Sequence, residues 1–293
     1  MHHMWALAVG LGLIVAPAAA PVPSGIGRAG VPIAQQTFTD AQRLFYNARY
    51  EAAAALTLEL RASQGQDLAN DELRTSALLF QLKGLLERPS DKDADRKDAD
   101  KKKALRLCAA CPALMAAFFA DVRHGQTLAR ASLKANPGDE AALFFLGKLN
   151  LNYVWLQLGP LGHKTGWDEY WEARRSLDAV LKKHPRHVRA LVARAWIDYI
   201  VNTKMPWGTR WVLGGGSKKR ALATMRSAER IDSDFFSHAE AGFGLWDMQV
   251  REHDMIRATE SARALALDFP DNRELAVFLE TRKNTENHGT HRN

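Results

Sequence analysis

A glycine-rich segment followed by basic residues is the first stretch of this sequence that could carry chemistry. Residues 201–225 read VNTKMPWGTRWVLGGGSKKRALATM, with Gly214–Gly216 directly before Ser217. Glycine-rich turns before a helix can hold a phosphate, but the nucleotide-binding loop needs G-x-x-x-x-G-K-[ST] after a strand, and that spacing is not met. We therefore predict a joint between two helices with Ser217 as N-cap. A bare helix N-terminus aided by Lys218 and Lys219 is the anion-binding alternative.

The two cysteines, Cys108 and Cys111, form a C-x-x-C pair in LCAACPAL. Such a pair could serve redox catalysis, bind zinc or attach haem. Haem attachment needs a histidine where Pro112 stands, zinc needs two more nearby ligands, and a thioredoxin-like site needs a βαβ context that the sequence lacks. A short-range disulfide in an oxidising compartment, or two buried thiols, are the interpretations that remain.

Other patterns typical of metal sites and catalysis fail on spacing. Asp91, Asp93 and Asp95 begin like a calcium loop, but Arg96 stands where glycine is needed and Lys102 where the bidentate glutamate should be. The histidines show no H-E-x-x-H and no i, i+4 pairing, and the chain has no nucleophile elbow. We therefore predict no metal, no cofactor and no catalytic residues.

An enzyme is the alternative function that the sequence leaves open. Its pocket would be built from residues 152–174, with the acid Asp168 or Glu169 beside His163 and Lys164. Convergence of these side chains in a closed pocket would favour an enzyme, whereas an open groove would favour a binding protein.

Two segments are rich in aromatic residues: NYVWLQLGPLGHKTGWDEYWEAR (152–174) and DYIVNTKMPWGTRWVLGGG (198–216). Six of the eight tryptophans lie between residues 155 and 211. These side chains either pack the segments onto neighbouring helices or line a groove for a partner. The candidate partner-binding residues are Trp155, Trp167, Trp171, Trp207, Arg210, Trp211, Lys218 and Lys219.

The net charge of +7 is concentrated in one region. Residues 174–230, which we name the basic belt, hold fourteen Lys and Arg against three acids, a net charge of +11, so the rest of the chain carries −4. The basic belt either faces an anionic partner or is a solvated surface.

The N-terminus predicts export. The apolar run over residues 5–15 is too short to span a bilayer, and the Ala-Pro-Ala that follows it resembles a secretory signal cleaved near Ala18 or Ala20. The absence of Lys and Arg before the run leaves a buried or anchoring helix as the alternative. We expect a signal peptide at 1–20, a disordered linker at 21–38 and a periplasmic or secreted protein of the bacterial envelope.

An internal repeat organises the rest of the chain. Pro137 and Pro185 lie 48 residues apart, and Ser233 follows after another 48, each after an amphipathic segment and before a new helix start. Useful strand patterns are absent, so we predict an all-α fold. The expected elements are five antiparallel hairpins at about 39–64, 70–135, 139–184, 187–232 and 235–269, a capping helix at about 271–283 and a polar tail at 284–293.

These segments resemble the tetratricopeptide repeat family, whose helix pairs span about 34 residues, with small residues at the helix crossings and proline after the second helix. The matching small residues are Gly147, Ala173, Ala195, Ala221, Ala228, Ala258 and Ala264. The resemblance covers residues 39–283. It implies an α-solenoid that binds other proteins, and one periplasmic branch, the accessory subunits of TRAP-type transporters, implies capture of a small ligand.

The departure from the family spacing locates a candidate surface. Gly147 and Ala173 are 26 residues apart, as are Ala195 and Ala221, where the family has about twelve. Both insertions therefore fall between the two helices of a pair. The second hairpin is also stretched between its helices, by residues 88–103 and the cysteine segment, so three insertions should gather on one rim of the stack, with those of the third and fourth hairpins side by side. We predict a non-catalytic binding or scaffold protein whose rim engages an anionic or amphipathic partner.

A protein or peptide is the foremost partner that this prediction allows, and an anionic lipid or a glycan is the alternative. Nucleic acid would be considered only if the protein is not exported.

Overall fold

The fold is all helical, as the sequence predicts. The computed structural model describes residues 37–64, 67–86, 98–163, 165–205 and 207–289, and over these residues it contains α-helices and no strand. The helices are α1 (Phe38–Tyr46), α2 (Tyr50–Gln64), α3 (Leu68–Leu86), α4 (Asp98–Leu107), α5 (Cys111–Ala135), α6 (Glu140–Leu158), α7 (Trp167–Lys183), α8 (Val188–Lys204), α9 (Trp207–Val212), α10 (Lys218–Glu229), α11 (Phe235–Arg251), α12 (Met255–Asp268) and α13 (Arg273–Gly289).

The helices pack as five pairs followed by a single helix. The pairs are α1 with α2, α3 with α5, α6 with α7, α8 with α10, and α11 with α12, and α13 packs on α12. The short helices α4 and α9 lie in the links inside the second and fourth pairs. Each pair begins and ends within a few residues of a predicted hairpin. The last helix continues to Gly289, through part of the predicted polar tail.

Small residues lie where the helices of a pair approach closely. A Cβ added to Gly147 would come within 2.8 Å of Leu177 Cγ, and Ala173 and Ala221 are fully buried. Ala264, however, is exposed, and the expectation that it lies at a crossing is wrong. Ala262 is buried in its place, four residues after Ala258, because residues four apart share one face of a helix.

Polar side chains begin the helices that follow each break. Asp139 accepts a hydrogen bond from the Ala142 amide at the start of α6, and Asp234 accepts from the Phe236 and Ser237 amides at the start of α11. These caps satisfy backbone amides that have no partner inside the helix. The third and fifth pairs therefore start at capping residues that can be recognised in the sequence.

The first pair touches the last, which the sequence did not predict. The ring of Tyr46 in α1 lies 5.5 Å from that of Phe243 in α11 and 5.4 Å from that of Phe269 after α12. The Asn272 side-chain amide donates to the Tyr46 carbonyl over 2.7 Å, and the Tyr50 hydroxyl donates to Glu274 over 3.0 Å. The alternate helices α1, α3, α6, α8 and α11 also contact one another along the inside. The two ends of the helical array therefore meet.

Several sequence predictions fall outside the described residues. They concern the signal peptide at 1–20, nearly all of the linker at 21–38, the aspartates at 91–95 and the last four residues of the tail.

Candidate functional site

The two aromatic insertions lie against each other. The Tyr170 hydroxyl of α7 donates to the Leu213 carbonyl over 2.9 Å, and Arg174 donates to the carbonyls of Leu213 and Gly214 over 2.6 and 3.1 Å. Leu213 and Gly214 follow α9 in the fourth pair, whereas α7 belongs to the third. Residues 207–217, which we name the α9 loop, are therefore held at their C-terminal end by the neighbouring pair.

The glycines of the α9 loop form a joint. The Gly214 amide donates to the Trp211 carbonyl over 3.0 Å, and the Gly215 amide donates to the Arg210 carbonyl over 2.8 Å. Both glycines have φ near +70 to +76°, a conformation that other residues rarely adopt. Because their amides are already bonded within the loop, these two glycines do not present a phosphate cradle. Ser217 accepts from the Arg220 amide and caps α10, in the role that the sequence predicts.

Two tryptophans of the α9 loop project away from the protein. The side chains of Trp207 and Trp211 are 86% and 85% exposed, and the adjacent Val212 is 61% exposed. Trp207 and Trp211 are four residues apart, so they share one side of α9. Trp167, at the start of α7, is 41% exposed. These residues form an exposed apolar surface at the meeting point of the two insertions.

The other candidate tryptophans pack inward. Trp155 is half-buried, packs on the core of the first two pairs and meets the ring of Trp196 edge-on at 6.1 Å. Trp171 is half-buried against Tyr170, with the Arg174 guanidinium 5.9 Å from its ring centroid. Both make the packing contacts that were the alternative interpretation of the aromatic segments.

A small cavity of about 20 Å³ lies next to the α9 loop. Its wall includes Trp155, Trp167 and Tyr170, together with Met205 and Leu213 from the two sides of α9. All eleven lining side chains are aliphatic, aromatic or methionine. A space of this size holds at most about one water molecule, so the cavity is a packing gap rather than a ligand site.

His163, Asp168 and Glu169, three of the residues of the alternative enzyme pattern, do not line this cavity. Asp168 is exposed, and the exposed His163 shares a hydrogen bond of 3.0 Å with Gln157. Lys164 lies outside the described residues. His163 and Asp168 therefore lie on the surface and not in a closed pocket.

The cations near the α9 loop differ in their exposure and in their bonding partners. Arg210 is half-buried and donates to the Met205 carbonyl over 2.9 Å. Lys218 pairs with Glu252 at 2.7 Å, although its side chain remains 47% exposed, and Lys219 is exposed. Burial alone would raise the pKa of Glu252, but its bonds with Lys218 and Tyr199 lower it. Lys218 and Lys219 thus expose positive charge at the start of α10, directly after the α9 loop in the chain.

A second cluster of charges, which the sequence did not reveal, lies inside the array. Glu72 of α3, Lys148 of α6, Arg189 of α8 and Glu240 of α11 form an interior network. Lys148 Nζ lies 2.6 Å from Glu240 Oε1 and 3.5 Å from Glu72 Oε1. Arg189 lies 2.5 Å from Glu240 through Nε and 2.9 Å from Glu72 through Nη2. Two acids and two bases are matched, and each contacts both opposite charges.

The pKa values of Glu240 and Arg189 favour the charged forms of these two side chains. Burial alone would raise the pKa of Glu240, but the adjacent Arg189 and Lys148 lower it to about 2. Burial alone would lower the pKa of Arg189, but Glu240 and Glu72 raise it. No sequence signal could have found this network, because its members come from four helices up to 168 residues apart.

The basic belt is therefore not one surface. Arg189 lies in the interior network, and Arg194 pairs with Asp178 at 2.6 Å. Arg220 pairs with Asp198 at 2.9 Å. The excess positive charge of this region divides between paired cations and exposed ones, and the exposed ones lie at the α7–α8 turn (Lys182, Lys183, Arg186) as well as at the start of α10 (Lys219).

Cys108 and Cys111 form a disulfide at the start of α5. Cys111 is the first residue of this helix and is buried.

Within the described ranges, no group of three or more His, Cys, Asp or Glu side chains could hold a metal ion. Among the helices of the described residues, none has both the length and the apolar character required to cross a bilayer.

Comparison of the chain with protein-family models, with curated proteins and with solved structures found no match.

Proposed function

We propose that this protein is a non-catalytic binding protein of the tetratricopeptide-like helical-repeat class, exported to the bacterial envelope. The α9 loop is its contact surface, and the partner is anionic or amphipathic. The observation that carries the proposal is the near-complete exposure of Trp207 and Trp211 on one side of α9.

Exposure of two adjacent tryptophans is unfavourable unless a partner covers them. Burying a large aromatic side chain removes about 150–250 Å² from water, so this pair retains a large gain in free energy for binding. Tryptophan is also among the residues that contribute most to binding energy at protein interfaces. The neighbouring Lys218 and Lys219 add a preference for negative charge.

The insertion that carries the tryptophans is anchored at its C-terminal end, residues 213–216, which we call its base. It is exposed at α9, which we call its tip. Its base is bonded to Tyr170 and Arg174, so the tip is presented on a fixed support. A fixed contact surface loses less conformational entropy on binding than a mobile one. This arrangement supports recognition and gives no group positioned for a chemical step.

Export rests on the N-terminal sequence and is supported by the disulfide. Disulfides persist in oxidising compartments such as the bacterial periplasm and are rare in the cytosol. The Cys108–Cys111 bond therefore agrees with a protein of the envelope.

Site-specific cross-linking in native cells tests this function. A photo-reactive amino acid replaces Gly208, which lies on α9 and has no neighbouring atom within 4 Å of a Cβ position. Adducts are expected at this position. The control position is Leu267 on α12, which is 84% exposed but has no adjacent exposed tryptophan. Equal labelling at the two positions would contradict the proposal.

Affinity and stability measured on the same samples separate binding from packing. The double variant Trp207→Ala with Trp211→Ala should weaken partner binding by about 1–4 kcal/mol. Its melting temperature should stay unchanged, because both side chains already face water in the folded protein. A loss of melting temperature with normal binding by the folded fraction would assign the tryptophans to packing.

A further inference from the structure

We propose that the partner of the α9 loop is the surface of an anionic phospholipid bilayer. This inference rests on the proposed function and names the partner of the same surface. Trp207 and Trp211 enter the interface between headgroups and acyl chains, while the cations that begin α10 contact the lipid phosphates.

The shape of the surface favours insertion of its side chains into a bilayer over binding of a ligand in a recess. Trp207, Trp211 and Val212 project from a helix of six residues, and each is more than 60% exposed. The cavity that Met205 and Leu213 line on either side of α9 has a volume of only about 20 Å³. A space of this size is too small for a peptide side chain, whereas the projecting tryptophans can themselves enter a soft phase.

The tryptophans of α9 are suited to the boundary between the headgroups and the acyl chains of a bilayer. Indole combines an apolar ring with an N–H donor and is enriched at the boundary between headgroups and acyl chains. Arg210 donates to the Met205 carbonyl over 2.9 Å and so ties α9 to the residues that precede it. At about 1.5 Å per residue the helix is about 9 Å long, so it can lie in the interface but cannot span the bilayer.

Positive charge lies where the lipid phosphates would be. Lys218, Lys219 and Arg220 follow the loop directly, and the Lys218 and Arg220 side chains remain 47% and 59% exposed beside their acidic partners. Each cation near an anionic leaflet contributes about 1 kcal/mol of attraction. Glu252 and Asp198 offset part of this, so Lys219 is the cation expected to contribute most.

Vesicle binding by the full chain tests the inference. Co-sedimentation is measured with vesicles of phosphatidylcholine alone and with vesicles of equal phosphatidylcholine and phosphatidylglycerol. We expect binding to the anionic vesicles, weakened at least about tenfold in the double variant Trp207→Ala with Trp211→Ala. We expect Lys219→Glu to weaken binding about threefold to tenfold and to reduce its dependence on salt. Leu267→Ala, the matched exposed apolar control, should bind as the wild type does.

Lipids brominated along the acyl chain report insertion directly. They should quench part of the tryptophan fluorescence of the wild-type protein, and this part should be absent from the double variant. Equal vesicle binding by the wild type and the double variant would overturn the inference. If the wild type ignores vesicles while cross-linking at residue 208 yields protein adducts, the inference fails and the proposed function stands. If neither vesicles nor specific adducts are found, both fail.

Discussion

The interior network and the α9 loop draw on the same basic belt and use its charge in opposite ways. Arg189 lies between Glu72 and Glu240, with both of its neighbours within 2.9 Å. Lys219, thirty positions later, is exposed at the start of α10, eight residues after the exposed Trp211. The difference shows that a cluster of positive charge in a sequence does not mark one surface, because the partner of each cation is decided by distant residues.

The two regions also differ in what their loss should affect. The interior network joins α3, α6, α8 and α11, so its contacts link four of the five helix pairs. The tip of the α9 loop contributes little burial. Changes in the network should therefore lower stability, and changes at the tip should lower binding alone.

The largest effect is expected from Arg189→Met. This change leaves Glu72 and Glu240 with only Lys148 as an opposite charge, and breaking a buried ion pair typically costs about 3–5 kcal/mol. Because Arg189 retains some contact with solvent, we expect a loss of about 3 kcal/mol in the free energy of unfolding. Urea unfolding followed by circular dichroism at 222 nm measures it.

Arg186→Met is the matched control for this change. Arg186 lies three residues earlier and is exposed, so its replacement should alter the free energy of unfolding by less than about 0.5 kcal/mol. Equal effects of the two changes would remove the distinction between the interior network and the rest of the basic belt.

Acid should weaken the interior network through Glu240. Its pKa is about 2 in the folded protein, against an ordinary value of 4.5. A carboxyl with a lowered pKa stabilises the folded state above its ordinary pKa and loses this contribution as the pH falls toward the folded value. We expect the free energy of unfolding to fall by up to about 3 kcal/mol from this group between pH 4.5 and about 2.

Urea unfolding at several pH values isolates this contribution. Glu240→Gln should be less stable at neutral pH and should show a shallower fall in stability below pH 4.5. The exposed Glu260 offers the control Glu260→Gln, whose pH profile should match that of the wild type. An unchanged slope in Glu240→Gln would show that other carboxyl groups cause the acid sensitivity.

The smallest effect separates the base of the α9 loop from its tip. A Cβ added at Gly216 would lie 2.7 Å from the Asp198 carbonyl oxygen and 2.9 Å from the Asn202 amide nitrogen, both backbone atoms. We expect Gly216→Ala to lower the free energy of unfolding by about 1–3 kcal/mol, since backbone must move. Gly208→Ala meets no atom within 4 Å and should be neutral or slightly stabilising in a helix. Thermal unfolding of both variants checks the contrast, and equal losses would mean that the tip is packed as tightly as the base.

The sequence alone determined the helix pairs and the place of the candidate surface. Helix periodicity, breaks at Pro137 and Pro185 and capping residues are local signals, and the structure places helix ends at these positions. The spacing of the small residues also located both insertions. It failed at Ala264, which lies six residues after Ala258 where Ala221 and Ala228 are seven apart, and which is exposed while Ala262, four residues after Ala258, is buried.

The division of the tryptophans could not be predicted. Trp171 and Trp207 both lie in the aromatic insertions, yet one packs against Tyr170 and the other is 86% exposed. Burial of an aromatic side chain is favourable in general, but whether a neighbouring helix offers a surface that can cover it depends on the adjacent pair.

Only the tertiary structure decided that the ends of the array meet and that four charges match inside it. Tyr46 contacts Phe269 across more than two hundred residues, and Glu72 meets Glu240 through Arg189 and Lys148. In an array of stacked helix pairs, contacts between distant pairs depend on the rotation between each pair and the next, added over the whole array. A local sequence pattern determines where each helix starts and ends. The rotation between neighbouring pairs is determined by side-chain packing at every helix crossing, so contacts between distant pairs cannot be predicted from any single segment of the chain.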